Sequence, residues 1–272
     1  MKLLPFARSL SLFLLCLLLV VFTVVAAEFK KGFEAHLRGD YAAAIREWGP
    51  LAAQGDPRAQ FNIGNMFDFG KGVTEDNAQA VYWYKKSAEK GNASAQYALG
   101  WMFENGEGVK KDLAQAFKWY QKSAKKYHAA AQTNLGWMYE NGKGAEKDDV
   151  KAVFWYKKAA NLGQPEGQLN LGIMYKNGKG VDKDYLQAIF WFEKAAVKGN
   201  TTAQLNLGVI YKNGKGVRAD YVQAVYWLKR AAEKGHSAAQ TNLGWLYENG
   251  KGVAQDYRKA AILYQKAAEK GQ

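Results

Sequence analysis

The sequence predicts an all-α protein built from 36-residue repeats, each repeat being a pair of helices. Three features repeat at this interval, in addition to apolar residues at helical spacing: alanines, glycine pairs and aspartates. Alanines such as Ala152 and Ala188 are 36 residues apart, and so are glycine pairs such as Gly142 and Gly144. The aspartates fall 36 residues apart without interruption: Asp40, Asp76, Asp112, Asp148, Asp184, Asp220 and Asp256.

Each repeat contains two helical patterns, which one repeat illustrates. The stretch AAQTNLGWMYENG at 130–142 predicts a first helix, and DVKAVFWYKKAANLG at 149–163 predicts a second. Asp148 stands where a short carboxylate caps free backbone N–H groups. Gly163 stands where a left-handed residue closes a helix. The glycines of NGKG act as linkers rather than a phosphate loop, because no Ser or Thr follows the lysine and no strand is predicted before it.

The first residues have the pattern of a secretory signal peptide. Lys2 and Arg8 are followed by an uncharged apolar run from Leu10 to Val25 and then by small residues. We expect residues 1–27 to be this signal, with cleavage after Ala27. An uncleaved membrane anchor is the alternative, although the run is short for a spanning helix. The sole cysteine, Cys16, lies in the run, so the cleaved chain could form no disulfide.

The rest of the chain divides into an N-terminal cap and the repeats. Residues 28–56 are predicted to form capping helices, with Gly49 and Pro50 interrupting the one before the first repeat. Residues 57–272 are predicted to form the repeat solenoid, with units at about 57–91, 92–127, 128–163, 164–199, 200–235 and 236–271. Tryptophans of the second helices are predicted to pack between successive pairs: Trp83, Trp119, Trp155, Trp191 and Trp227.

The repeat resembles that of a known family. The pattern A-x-x-x-L-G-x-x-Y-x-x-G-x-G-V, followed by D-x-x-x-A-x-x-W-Y-x-K-A-A-x-x-G, is similar to the Sel-one-like repeat, a relative of the tetratricopeptide repeat. Leu135, Gly136 and Tyr139 show the first half of it. The resemblance implies antiparallel helix pairs stacked into a right-handed superhelical solenoid, and an adaptor function. One branch of the family is cysteine-rich and linked to penicillin binding and β-lactamase activity, and the lack of cysteine after cleavage argues against that branch.

The resemblance also implies where a partner would bind. Peptide-binding tetratricopeptides use positions on the first helices that face the inner, concave wall. The matching positions, with those one turn further on, are Tyr97, Trp101, Glu104, Thr133, Trp137, Glu140, Leu169, Ile173, Lys176, Leu205, Val209, Lys212, Thr241, Trp245 and Glu248. They form an apolar track with acidic ends and a basic middle. The tryptophans of this track are either exposed anchors for a partner or packing residues, and the sequence leaves both open.

The sequence favours binding over catalysis. It contains no HExxH or GxSxG motif, no metal-ligand cluster and no cofactor motif, so no cofactor is expected. We expect an exported, non-enzymatic scaffold for a protein or peptide, periplasmic or secreted and most consistent with a bacterial envelope. The alternatives are an envelope enzyme of the penicillin-recognising, β-lactamase-like sort and a cell-wall glycan binder. The net charge of +13 is spread along the chain without a nucleic-acid motif, so nucleic acid is not an expected partner, and no membrane span is expected after cleavage.

Overall fold

The computed structural model describes residues 26–269, and this part of the chain is helical between short connectors, without strands. The predicted all-α class with paired helices is confirmed. The helices are α1 (26–37), α2 (Tyr41–Gln54), α3 (Pro57–Asp68), α4 (Asn77–Glu89), α5 (Ala93–Asn105), α6 (Leu113–Lys125), α7 (Ala129–Asn141), α8 (Asp149–Asn161), α9 (Pro165–Asn177), α10 (Tyr185–Val197), α11 (Thr201–Asn213), α12 (Tyr221–Glu233), α13 (Ser237–Glu248) and α14 (Tyr257–Ala268). The predicted signal peptide, 1–27, lies almost wholly outside the described residues.

The helices begin and end at the capping residues that the repeat predicts. The Asp148 side chain accepts a hydrogen bond from the Lys151 N–H at 2.9 Å, which satisfies a free donor at the start of α8. Gly142 closes α7 in the left-handed conformation, with φ 64°. Asp148 N–H also donates to Tyr139 O at 2.9 Å, across the connector. The short connector and this bond turn the chain back on itself, so α7 and α8 pack as an antiparallel pair.

The chain forms two compact units, residues 1–123 and 124–272, and the boundary falls near the end of α6. The first unit contains α1 to α5 and most of α6. In the second unit, α7 pairs with α8, α9 with α10, α11 with α12, and α13 with α14. We call α3, α5, α7, α9, α11 and α13 the first helices, and α4, α6, α8, α10, α12 and α14 the second helices.

Tryptophans of the second helices join one pair to the pair before it. Trp191 of α10 belongs to a buried cluster with Tyr156 of α8 and Leu171 of α9. Trp227 of α12 packs in the same way with Phe192 of α10. The next residues along α8 and α10, Tyr156 and Phe192, are fully buried and lie against the first helix of their own pairs. In α10, Phe192 therefore packs within its own pair, while Trp191 packs against the preceding pair.

The expected interruption at Gly49 and Pro50 is not present, because α2 continues through Pro50 to Gln54. Proline removes one N–H from the helix and should weaken it. Burial compensates: Trp48 and Leu51, on either side of the proline, are both in the core. Trp48 Nε1 also donates to Phe29 O at 3.1 Å, which ties α1 to α2. Tertiary packing thus holds a helix that local sequence alone disfavours.

Candidate binding face on the first helices

Tryptophans on three first helices are partly open to solvent. Trp101 on α5 is 37% exposed, Trp137 on α7 is 39% exposed and Trp245 on α13 is 37% exposed. The residues just beside them in sequence, including Met138 and Leu246, are buried in the core. The helices are therefore fixed from one side while the indole rings remain accessible on the other. Each ring therefore has the exposure expected of a binding anchor on a helix that is packed into the core.

The positions one helical turn earlier contribute less to the surface than the pattern predicts. Thr133 is only 8% exposed, and its hydroxyl donates to Ala129 O at 3.1 Å. Tyr97 is half-buried, and its ring lies 5.7 Å from the ring of Tyr120. Leu169 packs against the buried cluster around Phe192. Thr133, Tyr97 and Leu169 therefore pack within the fold and expose little surface to a partner. Thr241, at the same position in the last repeat, is exposed.

The acidic members of the predicted track have partners within the fold. Glu140 Oε2 accepts a hydrogen bond from the hydroxyl of Tyr156 at 2.9 Å. Burial, and then the charge of Glu140, raise the pKa of Tyr156 well above its usual value. The hydroxyl of Tyr264 donates to Glu248 at 2.7 Å, and burial followed by this bond raises the pKa of Tyr264 to about 12. Glu140 and Glu248 therefore already accept hydrogen bonds from tyrosine hydroxyls within the protein.

The same arrangement occurs in the first unit. Tyr120 donates to Glu104 at 2.6 Å, and Tyr84 donates to Asp68 at 2.8 Å and to Asn65 at 2.7 Å. In each of the tyrosine–carboxylate pairs the carboxylate stands 16 residues before the tyrosine. The spacing is visible in the sequence and could have revealed the pairs, although no rule of secondary structure points to it.

Lysines replace the carboxylates where the tyrosine is also replaced. Lys176 and Lys212 stand 16 residues before Phe192 and Leu228, which have no hydroxyl to donate. Lys176 Nζ donates instead to Asn206 Oδ1 of the next first helix, at 2.8 Å. Lys212 Nζ makes the matching bond with Oδ1 of the asparagine 30 residues on, at 2.5 Å. Burial lowers the pKa of both lysines.

These bonds place consecutive first helices of the second unit side by side. Lys212 Nζ on α11 lies 5.1 Å from the ring centroid of Trp245 on α13, a cation–π contact. Lys179 Nζ lies 3.6 Å from Glu140, which joins the connector after α9 to α7. Trp137, Trp245 and the smaller residues at the same repeat position thus lie on neighbouring helices. We call this surface of the second unit the first-helix face.

The part of the chain that the structure describes contains neither a cluster of metal-binding side chains nor a membrane-spanning helix. Within residues 26–269, no group of three or more His, Cys, Asp and Glu side chains comes together as a metal site. None of the helices in that range combines the length and the apolar character needed to cross a membrane. What the first-helix face itself offers is hydrogen bonds and charge, with flat aromatic surface beside them.

Comparison with known proteins agrees with the repeat geometry. The Sel1 repeat family matches six consecutive segments: 57–92, 93–128, 129–164, 165–200, 201–236 and 237–272. The chain belongs to the Sel1 repeat family. Sel1 repeat proteins are generally protein-interaction scaffolds. None of the curated proteins that were searched matches the chain.

Solved structures with Sel1-like repeats resemble this chain, and two of them match it over most of its length. One is a protective antigen present in uropathogenic Escherichia coli strains, with 36% identity and a TM-score of 0.84 over 91% of this chain and 54% of that one. The other is a Sel1 repeat protein from Oxalobacter formigenes, with 33% identity and a TM-score of 0.79 over 88% of this chain and 96% of that one. The chain thus spans about half the length of the Escherichia coli protein.

Proposed function

We propose that this Sel1 repeat protein is a non-enzymatic scaffold that binds a protein or peptide partner through its first helices. The observation that carries the proposal is the exposure of Trp101, Trp137 and Trp245 on helices whose opposite sides are buried. Tryptophan is among the residues that contribute most to binding when a partner covers it. Because the helices are already packed, binding would order few groups and lose little conformational entropy.

Variation along the repeat supports recognition at this position. The place held by Trp137 and Trp245 is taken by Ile173 and Val209 in the repeats between them. One position of the second helices varies less, because its buried side chain is always large and aromatic or apolar. The residues there are Tyr84, Tyr120, Tyr156, Phe192 and Leu228. A face that presents flat rings at some repeats and smaller side chains at others offers a specific sequence of sites to an extended partner.

We propose further that the protein is exported, to the periplasm or outside a bacterial cell. The support is the charged start, apolar run and small residues of positions 1–27. Expression of the whole sequence in a bacterium, followed by intact mass measurement of the exported fraction, tests this. We expect a chain that has lost residues 1–27. A full-length chain found only with the membranes would contradict cleavage.

Replacement of the three tryptophans tests the binding proposal. We expect Trp101→Ala, Trp137→Ala and Trp245→Ala together to abolish specific capture of a partner from envelope extract, because loss of one binding anchor costs about 2 kcal/mol or more. The measurement is quantitative cross-linking capture by purified wild type and variant, after circular dichroism has shown equal helicity.

A matched control uses aromatic residues of the second helices. Phe154, Phe190 and Tyr226 are also exposed, so their replacement by alanine removes three rings from a different surface. This control variant should capture the same proteins as the wild type. If the tryptophan variant also captures them, partners bind elsewhere and the tryptophans belong to packing.

A further inference from the structure

A cavity of about 290 Å³ opens between α9 and α11, next to the first-helix face of the second unit. Residues at the end of α9 and along α11 line it, together with residues of the connectors that follow these helices and the first residue of α10, Tyr185. This volume is at the lower end of the range for ligand sites, and it suits a single side chain or a chain end. Its lining includes Lys176, Lys183, Tyr185, Asn206, Val209 and Lys215.

The charged groups of this cavity are all positive. Lys176, Lys183 and Lys215 line it, and within residues 26–269 none of the three forms an ion pair with a carboxylate. Burial lowers the pKa of Lys176; Tyr185 opposes this shift, and the charge of Lys215 adds to it. A bound anion would relieve both the lost hydration of Lys176 and its repulsion from Lys215.

The preceding repeat supplies its own anions at the equivalent place. The residues 36 positions before Lys176 and Tyr185 are Glu140 and Asp149. Glu140 lies 3.6 Å from Lys179 Nζ, and Asp149 lies 4.0 Å from Lys147 Nζ. The lysines there are paired within the protein, whereas the cavity of the next repeat has lysines and neither carboxylate.

The following repeat fills the equivalent space with a ring. Trp245 stands 36 positions after Val209, and its ring lies 5.1 Å from Lys212 Nζ. Lys212 therefore faces an aromatic surface, whereas the corresponding Lys176 faces a cavity. The small side chain of Val209 leaves open the space that an indole occupies one repeat later.

We propose that this cavity binds a carboxylate group of the partner, so that the scaffold selects an acidic peptide segment or a peptide C-terminus. The inference rests on the proposed function, since it names the chemical group that the first-helix face recognises. The ammonium groups of Lys176, Lys183 and Lys215 are charge-assisted donors, which bind carboxylates more strongly than neutral donors do. Tyr185 also lines the cavity, and Lys183 Nζ lies 5.2 Å from the centroid of its ring.

Three fluorescein-labelled octapeptides of otherwise identical, neutral composition test the proposal by fluorescence anisotropy with the purified protein. The first has a central Asp and an amidated C-terminus, the second has a free C-terminal carboxylate and no Asp, and the third has neither. We expect at least one carboxylate peptide to bind about tenfold or more tightly than the third, as charge-assisted hydrogen bonds allow. The tighter of the first two identifies the source of the carboxylate.

Two variants locate the binding. Lys176→Gln, Lys183→Gln and Lys215→Gln together should remove the preference for the carboxylate. The matched control, Lys125→Gln, Lys126→Gln and Lys157→Gln, removes the same charge from exposed positions of the same unit and should keep it. Val209→Trp keeps every lysine and introduces the residue found at Trp245, so it should fold, fill the cavity and weaken carboxylate binding about tenfold.

Several results would overturn the inference. Equal binding of all three peptides would exclude a carboxylate site, and equal losses in the two lysine variants would show only general attraction between charges. Unchanged binding by Val209→Trp would place the carboxylate outside the cavity, and inorganic phosphate that binds more tightly than either carboxylate peptide would replace carboxylate as the ligand. If the preference is absent but the tryptophan-dependent capture of a partner remains, this inference fails while the proposed function stands.

Discussion

Each first helix has a glycine in its middle where it touches the second helix of the same pair, and the contact leaves no room for a side chain. A Cβ added at Gly136 would lie 2.6 Å from Cδ1 of Tyr156, which is too close for two carbon atoms. Tyr156 is fully buried, so it cannot move aside without disturbing its neighbours. The same relation, with an aromatic ring or Leu228, recurs at Gly64, Gly100, Gly136, Gly172, Gly208 and Gly244.

Substitution of Gly136 by alanine should therefore destabilise the protein despite the better helix propensity of alanine. We expect Gly136→Ala to lower the free energy of unfolding of the second unit by about 1–3 kcal/mol, the usual cost of an extra buried carbon. Thermal unfolding followed by circular dichroism would measure the effect. Gly49→Ala is the control: beyond the adjacent residues and the backbone of its own helix, no atom lies within 4 Å of its added Cβ, so stability should stay the same or rise by about 0.5–1 kcal/mol. Equal behaviour of the two variants would refute the contact argument.

At the scale of helices, local sequence predicted most of what the structure shows. The aspartate caps and closing glycines define the ends of the helices, because these signals act over a few residues. Pro50 is the exception: local chemistry predicted an interruption, and the burial of Trp48 and Leu51 outweighed it. Such long-range packing cannot be read from one segment.

The candidate site was less predictable than the helices. The pattern selected the tryptophan positions, and the exposure of Trp137 suits that choice, but it could not show that Thr133 turns inward. It treated Glu140 as part of the binding surface, whereas the structure gives this carboxylate to the hydroxyl of Tyr156. The cavity beside Val209 depends on side chains of two repeats and their connectors. These features depend on how helices pack against one another, which the sequence pattern of a single repeat does not show.

At the scale of the molecule, we expect the stability of each repeat to depend mainly on its contacts with the adjacent repeats. The buried clusters of the second unit each combine residues of adjacent helices, such as Phe192 of α10 with Leu207 of α11 and Trp227 of α12. Repeat proteins with this organisation behave approximately as chains of units coupled to their nearest neighbours. A defect in one repeat should then loosen the helices around it more than distant ones, although all belong to one chain.

Hydrogen exchange after a cavity-forming substitution tests this distribution. Phe192→Ala removes a fully buried ring and should cost about 3–5 kcal/mol. We expect amide exchange, measured by mass spectrometry under native conditions, to accelerate most in α9 to α12 and to change little in α2 to α5. Phe190→Ala on the same helix removes an exposed ring and should leave the exchange pattern near that of the wild type.

If Phe192→Ala accelerated exchange equally in all helices, the chain would unfold as one cooperative body, and binding at the cavity beside Val209 would stabilise every repeat. If exchange accelerated mainly in α9 to α12, each repeat would be coupled mostly to its neighbours. A bound carboxylate would then stabilise only the repeats around α9 and α11, because a ligand stabilises the structure whose folding is coupled to its binding.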